Sequence, residues 1–171
     1  MTTTELKPVH GKHKFLLFRL LEDATKKAAA KLALQTEHEW SYERDIEMTK
    51  TKDGSMPTSG ALEVTLDITA IASYDEVNEM LFKAVTEDKT LEVWEIDTNK
   101  PTAGGKFSAV YARGKLSSWT LPNNLDSFVE VSTSFSVEGV PVTGEATLTA
   151  EQKLLIASAY DFMDTTQVTA G

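Results

Sequence analysis

From Glu37 to Glu47 the chain reads EHEWSYERDIE, and its residues change character with a period of two. That period belongs to a β-strand, whose successive side chains point to opposite sides. One side carries His38, Trp40, Tyr42, Arg44 and Ile46. The other carries Glu37, Glu39, Ser41, Glu43, Asp45 and Glu47, with no base among them. The alternation returns in ALEVTLDITA, where Leu62, Val64, Leu66 and Ile68 oppose Glu63, Thr65, Asp67 and Thr69. It returns again in SFVEVSTSFSVEG, where Val129, Val131, Thr133, Phe135 and Val137 oppose Glu130, Ser132, Ser134, Ser136 and Glu138. Strands with one apolar side need a core to bury it against, and the first two are most simply joined as an antiparallel hairpin.

Between those two lies MTKTKDGSMPTSGA, residues 48–61, rich in Thr, Lys, Gly, Ser and Pro. Local rules make it a loop, far longer than a hairpin needs, and unstructured loops of that length are usually functional or disordered. HKFLLFRLL reads as a first strand, and LEVWEID (91–97) and FSAVYARGKLSSWTL (107–121) as later ones. SYDEVNEMLFKAVTED is a helix: Ser73 and Glu76 form a capping box, and Val77, Met80, Leu81, Ala84 and Val85 make one apolar stripe. EDATKKAAAKLALQT favours helix by propensity but is flanked by strands, so its state stays open. PVTGEATLTA is a short piece of open type, and TAEQKLLIASAYDFM has a capping-type helix start at Thr149 and Gln152. No repeat or linker divides the chain. The expectation is one mainly β domain over 1–171, a β-sandwich or partial barrel with one packed α-helix and a long hairpin loop. A flexible arm (1–13) and a C-terminal segment (150–171) flank it.

The 171 residues can enclose one sizeable core. With no cysteine, thiol catalysis, disulfides and zinc–thiolate sites are excluded, which suits folding in a reducing cytoplasm. The longest apolar run, FLLFRLL, is too short to cross a bilayer, and the first residues hold no apolar segment of signal type. A net charge of −9 argues against gripping nucleic acid or an anionic membrane through the general field. His10, His13 and His38 show no metal-ligand spacing with a carboxylate. AGGKF, around Gly104, Gly105 and Lys106, resembles a phosphate loop but has Pro101 where the first glycine belongs and Phe107 after the lysine, so it reads as a hairpin turn. No serine sits in a nucleophile elbow, and the carboxylates lie in rows instead of facing each other across a cleft. No catalytic residue, metal or cofactor is expected. One reading of these features is a non-enzymatic β-sandwich binding or adhesion module.

The acidic row is the candidate functional feature. An exposed face of an antiparallel sheet is ordinarily polar, which accounts for most charged strands. Such faces usually mix signs, however, because like charges opposite one another destabilise. Carboxylates two residues apart lie ~7 Å from each other and repel by roughly 0.6 kcal/mol in bulk water. The facing strand adds Glu63 and Asp67 where lysines would relieve this, and the third adds Glu130. Arg113 and Lys115 carry the nearest basic charge, on a face the weak local alternation leaves unassigned.

Blocks along the chain carry a resemblance: GKHKFLLFRLL, ATKKAAAKLALQTEHEWSYERD, TKTKDG, LEVWEID, YARGKLSSW and VEGVPVTGEATLTAEQ, in that order. Together, over roughly residues 9–166, the chain resembles the major tail tube protein of long, non-contractile-tailed bacteriophages of Gram-positive hosts. The resemblance implies a non-enzymatic virion protein of the tail, assembled in the host cytoplasm. Its subunits would form hexameric rings that stack into a tube around a tape-measure protein, between tail terminator and distal tail proteins. Glu37, Glu39, Glu43, Asp45, Glu47, Glu63, Asp67 and Glu130 would then line a lumen through which DNA slides without being held. Lys50, Lys52 and Asp53 would lie on an inter-ring loop. The sequence stops at Gly171, so no appended immunoglobulin-like domain of the kind some relatives carry is expected.

Overall fold

A computed structural model of the chain describes residues 8–156. The first seven residues of the expected arm and residues 157–171 of the expected C-terminal segment lie outside the described residues. In chain order the elements are β1 (Lys14–Leu20), β2 (Ala30–Lys31), β3 (Gln35–Thr51), β4 (Gly54–Ile71), α1 (Glu76–Thr86), β5 (Leu91–Pro101), β6 (Phe107–Leu116), β7 (Glu130–Val137), β8 (Val142–Ala146) and α2 (Ala150–Ile156). The strands form one antiparallel sheet in the order β2-β1-β5-β6-β7-β4-β3, with β8 added to β6. Among the described residues no helix is long and apolar enough to cross a membrane.

The sheet curls on itself without closing, as a partial barrel. Its inner face gathers Leu16, Phe18, Leu91 and Val93 from one half and Leu66, Ile68, Val131 and Phe135 from the other into a single core. Alternation of buried and exposed residues along β4 and β7 is what fixes these strands' sides. Helix α1 contributes Leu81 and Ala84 to the same core. Its cap is Asp75, whose carboxylate accepts from the Asn78 N–H, while the Ser73 hydroxyl donates to that carboxylate. The expected Ser73–Glu76 capping box is therefore corrected: Asp75 lies nearer the orphan N–H groups, and Ser73 positions it. The start of α2 is a true reciprocal box, with Thr149 N–H donating to Gln152 Oε1 and Gln152 N–H to Thr149 Oγ1. Strand β6 ends at Leu116, short of the expected Leu121, and continues beyond only as an isolated bridge from Thr120 to Ser132.

Residues 22–35 do not form a helix. They hold a 3-10 turn at Leu21–Asp23 and the two-residue β2, because tertiary partners outweigh the alanines' propensity. Leu32 is buried in the core, and the Gln35 amide accepts from Leu16 N–H and donates to the Leu16 and Leu32 carbonyls. That amide joins the start of β3 to β1 at the seam the backbone leaves open. Between β6 and β7 the strands approach so closely that a Cβ on Gly114 would lie 1.9 Å from the Ser136 carbonyl oxygen. Only glycine fits there.

Candidate functional site: an acidic sheet face and a projecting ribbon

Pairing of β3 with β4 sets Glu37 beside Thr69, Glu39 beside Asp67, Ser41 beside Thr65 and Glu43 beside Glu63. Pairing of β4 with β7 extends these rungs to Ser136, Ser134 and Ser132, with Glu130 beside Ile71. Paired residues point the same way, so three adjacent strands present one outer face of carboxylates and hydroxyls. Glu37, Glu39, Glu43, Glu63, Asp67 and Glu130 are all exposed on it. Two like-charged pairs, Glu39 with Asp67 and Glu43 with Glu63, stand directly opposite each other. At ~5 Å each pair repels by about 0.8 kcal/mol in bulk water. None of the ion pairs among the described residues uses a carboxylate of this face. The strand β6 changes the sign: Lys115 shares a rung with Ser136 and so joins this side, with Arg113 two residues back. Lys115 Nζ lies 2.9 Å from Asp88 Oδ1, so its charge is answered by the turn after α1.

The expected row of acids on β3 is broken by a bulge. Arg44 pairs with Leu62, but Ile46 pairs with Ser59, so Asp45 faces two residues of β4, Gly60 and Ala61. Arg44 Nη1 donates to the Gly60 carbonyl at 3.0 Å across the bulge. Glu47, beside Thr58, lies past it. Asp45 and Glu47 thus belong to a different structure from Glu37, Glu39 and Glu43.

That structure is a ribbon, and it corrects the loop expected at 48–61. Met48 pairs with Pro57, Thr49 with Met56, Lys50 with Ser55 and Thr51 with Gly54, leaving only Lys52 and Asp53 as the turn. Gly54, at φ +139, takes the chain out of it in a conformation that favours glycine. Every residue from Tyr42 to Ala61 is exposed. One side of the ribbon shows Glu47, Thr49, Met56 and Thr58, and the other Ile46, Met48, Lys50 and Pro57. Lys50, Lys52 and Asp53 all sit at its tip. The segment looks like a loop in sequence because a ribbon with no buried face has no apolar alternation to display. The Asp53-Gly54 dipeptide is the local hairpin signal that composition hid.

The remaining candidates fall elsewhere. Gly104 and Gly105, both with positive φ, form the turn between β5 and β6, as the sequence indicates. His38 lies in the seam, where its Nε2 meets Glu95 Oε2 at 2.7 Å, the same oxygen that accepts from Trp40 Nε1 at 2.7 Å. Since a carboxylate only accepts, the proton sits on His38 Nε2. Lys14 Nζ is 3.6 Å from the other oxygen. Burial by itself would push the Glu95 carboxyl up, but the hydrogen bonds from His38 and Trp40 and the charges of His38 and Lys14 hold it below the ordinary glutamate value. A carboxylate depressed in this way stabilises the fold fully above the unfolded pKa of about 4.3, and the contribution is lost as pH falls below that through the folded value. Glu95→Gln is therefore expected to lower stability at pH 7 by about 1–3 kcal/mol. It should also flatten the decline below about pH 4.3. Urea melts from pH 7 to 3 measure both, and an unchanged acid limb would show that Glu95 is not the group responsible.

Comparison with known proteins adds an independent line. The family model described as phage tail tube protein matches residues 8–143. A protein of Staphylococcus phage phiMR25 described as a tail protein is 33% identical over 162 residues, covering 92% of this chain and 83% of that one. Among solved structures, the tail tube of SPP1 superposes with a TM-score of 0.76 at 20% identity, over 95% of both chains. The tail of an empty gene transfer agent particle, refined with C6 symmetry, superposes with a TM-score of 0.64 at 10% identity, over 80% of this chain and 99% of that one.

Proposed function

The chain belongs to the phage tail tube protein family, a structural component of the virion tail and not an enzyme, and from that premise we propose that it builds the conduit for DNA out of its acidic face. Copies assemble into hexameric rings, and the rings stack into a tube. Among the described residues the outer edge of β3 has no strand beside it, so a neighbouring copy can continue the sheet and remove an edge that would otherwise invite uncontrolled pairing. The sixfold symmetry of the gene transfer agent tail supports six copies per turn.

The observation that carries the reading is the three-strand face of carboxylates and hydroxyls with like charges set opposite each other. DNA carries about one charge per 1.7 Å of axis, and basic contacts would retain it by releasing counterions. A wall of Glu, Asp, Ser and Thr does the reverse, and the duplex slides. Before DNA enters, a tape-measure protein occupies the lumen, and terminator and distal tail proteins close the two ends. Assembly takes place in the host cytoplasm. Glu37, Glu39, Glu43, Glu63, Asp67 and Glu130 line the wall. Asp45, Glu47 and the tip residues Lys50, Lys52 and Asp53 belong to the contact between rings.

The test is direct. Concentrated protein, alone or with the tape-measure protein, is expected to form rings or tubes with a central channel in electron micrographs. Monomers at every concentration by sedimentation, with or without that partner, would overturn the reading.

A further inference from the structure

Among the described residues, the face of the ribbon that carries Ile46, Met48 and Pro57 is left uncovered; Met48 is 59% exposed. A two-stranded ribbon of this kind is marginal in water unless something packs against it. A second apolar surface lies on a different part of the molecule. Between α1 and the connection from β6 to β7 runs a groove of about 460 Å³, lined by Phe82, Trp119, Leu121 and Tyr74. Phe82 meets Trp119 edge to face at 6.0 Å yet stays 51% exposed. Leu125 and Phe128 stand on the same connection, largely in solvent. Exposed apolar surface gathered in this way marks an interaction site.

Charge says which surface fits. The apolar strip of the ribbon ends in Lys50, with Lys52 in the turn, and both are exposed. Glu79 lines the groove and Asp126 lies between Leu125 and Phe128, both exposed as well. None of these four is in an ion pair among the described residues. An apolar strip tipped by cations thus matches an apolar groove bordered by acids. The ribbon, exposed along its whole length, does not occupy the groove of its own chain.

We infer that the ribbon of one copy docks in the groove between α1 and the β6–β7 connection of the next copy, with Met48 and Ile46 against Phe82 and Lys50 toward Asp126. This rests on the tube reading and names the surface the ribbon reaches. Each copy gives one surface and receives on another, and such a heterologous contact repeats into rings or filaments instead of ending in a dimer.

A photoreactive benzophenone side chain placed at Phe82 tests it, in tubes assembled from an equal mixture of ¹⁴N and ¹⁵N copies. Mass spectrometry is expected to find the cross-link on a peptide from 42–61 of a differently labelled copy. Met48→Asp is expected to raise the concentration needed for assembly about tenfold, or 1.4 kcal/mol. Tubes in which position 82 cross-links to another segment, such as 157–171, or to nothing, overturn the docking while leaving the tube reading intact. An unsubstituted chain that never assembles overturns both.

Discussion

Replacing residues 45–61 with an Asn-Gly turn is expected to give a chain that folds and melts almost as the parent does but forms no tubes. The fold should survive because everything removed is exposed, while Val64, Leu66 and the rest of the core stay in place. Arg44 and Leu62 already pair, so a two-residue turn can close the hairpin on that rung. A shorter connection also costs slightly less entropy to close. Assembly should fail because the only long projection among the described residues is gone, and its apolar strip and both tip lysines with it. The milder Lys50→Glu, Lys52→Glu variant should assemble poorly at low salt and better as salt screens the repulsion, over a Debye length of about 10 Å at 0.1 M. Thermal melting of the monomer beside tube yield by microscopy reads both. Tubes of normal length from the shortened chain would move ring stacking to another part of the molecule.

Glu39→Lys with Glu43→Lys should produce an apparent paradox, a steadier subunit in a worse tube. Each new lysine faces a carboxylate, Asp67 or Glu63, so two repulsive rungs become attractive. Cross-strand pairs of opposite charge contribute roughly 0.2–1 kcal/mol each, and the melting temperature should rise by a few degrees. The same change puts cations along the wall in every subunit, and DNA should then stay bound in a salt-dependent way. Tails carrying the variant should eject slowly or stall, with release restored at high salt. Ejection at the parental rate would mean that the acids are an ordinary solvated face. Asp45 is best left alone, because its Cβ sits at the bulge and not on the flat of the sheet.

Alternation made the acidic sheet face legible in the sequence. Glu130, Ser132, Ser134 and Ser136 could be set against Val131, Thr133 and Phe135 from spacing alone, and burial follows that division along β7. The same logic could not see the ribbon, since a strand pair exposed on both sides leaves Ser, Thr and Lys in positions that a loop would also fill. Nor could it place Arg113 and Lys115. Gly114 separates them, and the close passage of Ser136 over that glycine is a fact of pairing between segments far apart in the chain. The state of the stretch from Glu22 to Gln35 stayed open for a related reason. Its alanines report a local preference, whereas its conformation is decided by Leu32 in the core and by the Gln35 amide reaching Leu16. The groove beside Phe82 was invisible because its walls come from a helix and a connection that share no pattern.

The bulge opposite Asp45 bears on more than the row of acids it interrupts. A surplus residue in one strand bends the pair and tightens its twist, so Gly60 and Ala61 set the direction in which the ribbon leaves the body. A chain lacking Ala61 would keep Arg44 beside Leu62 and Ile46 beside Ser59, with every side chain of the tip unchanged, and yet would point that tip elsewhere. Aim and adhesion are thus written in separate residues. In any assembly the ribbon builds, a single insertion or deletion at the bulge would thus re-aim the tip, and with it the pitch between layers, without exchanging one side chain of the tip.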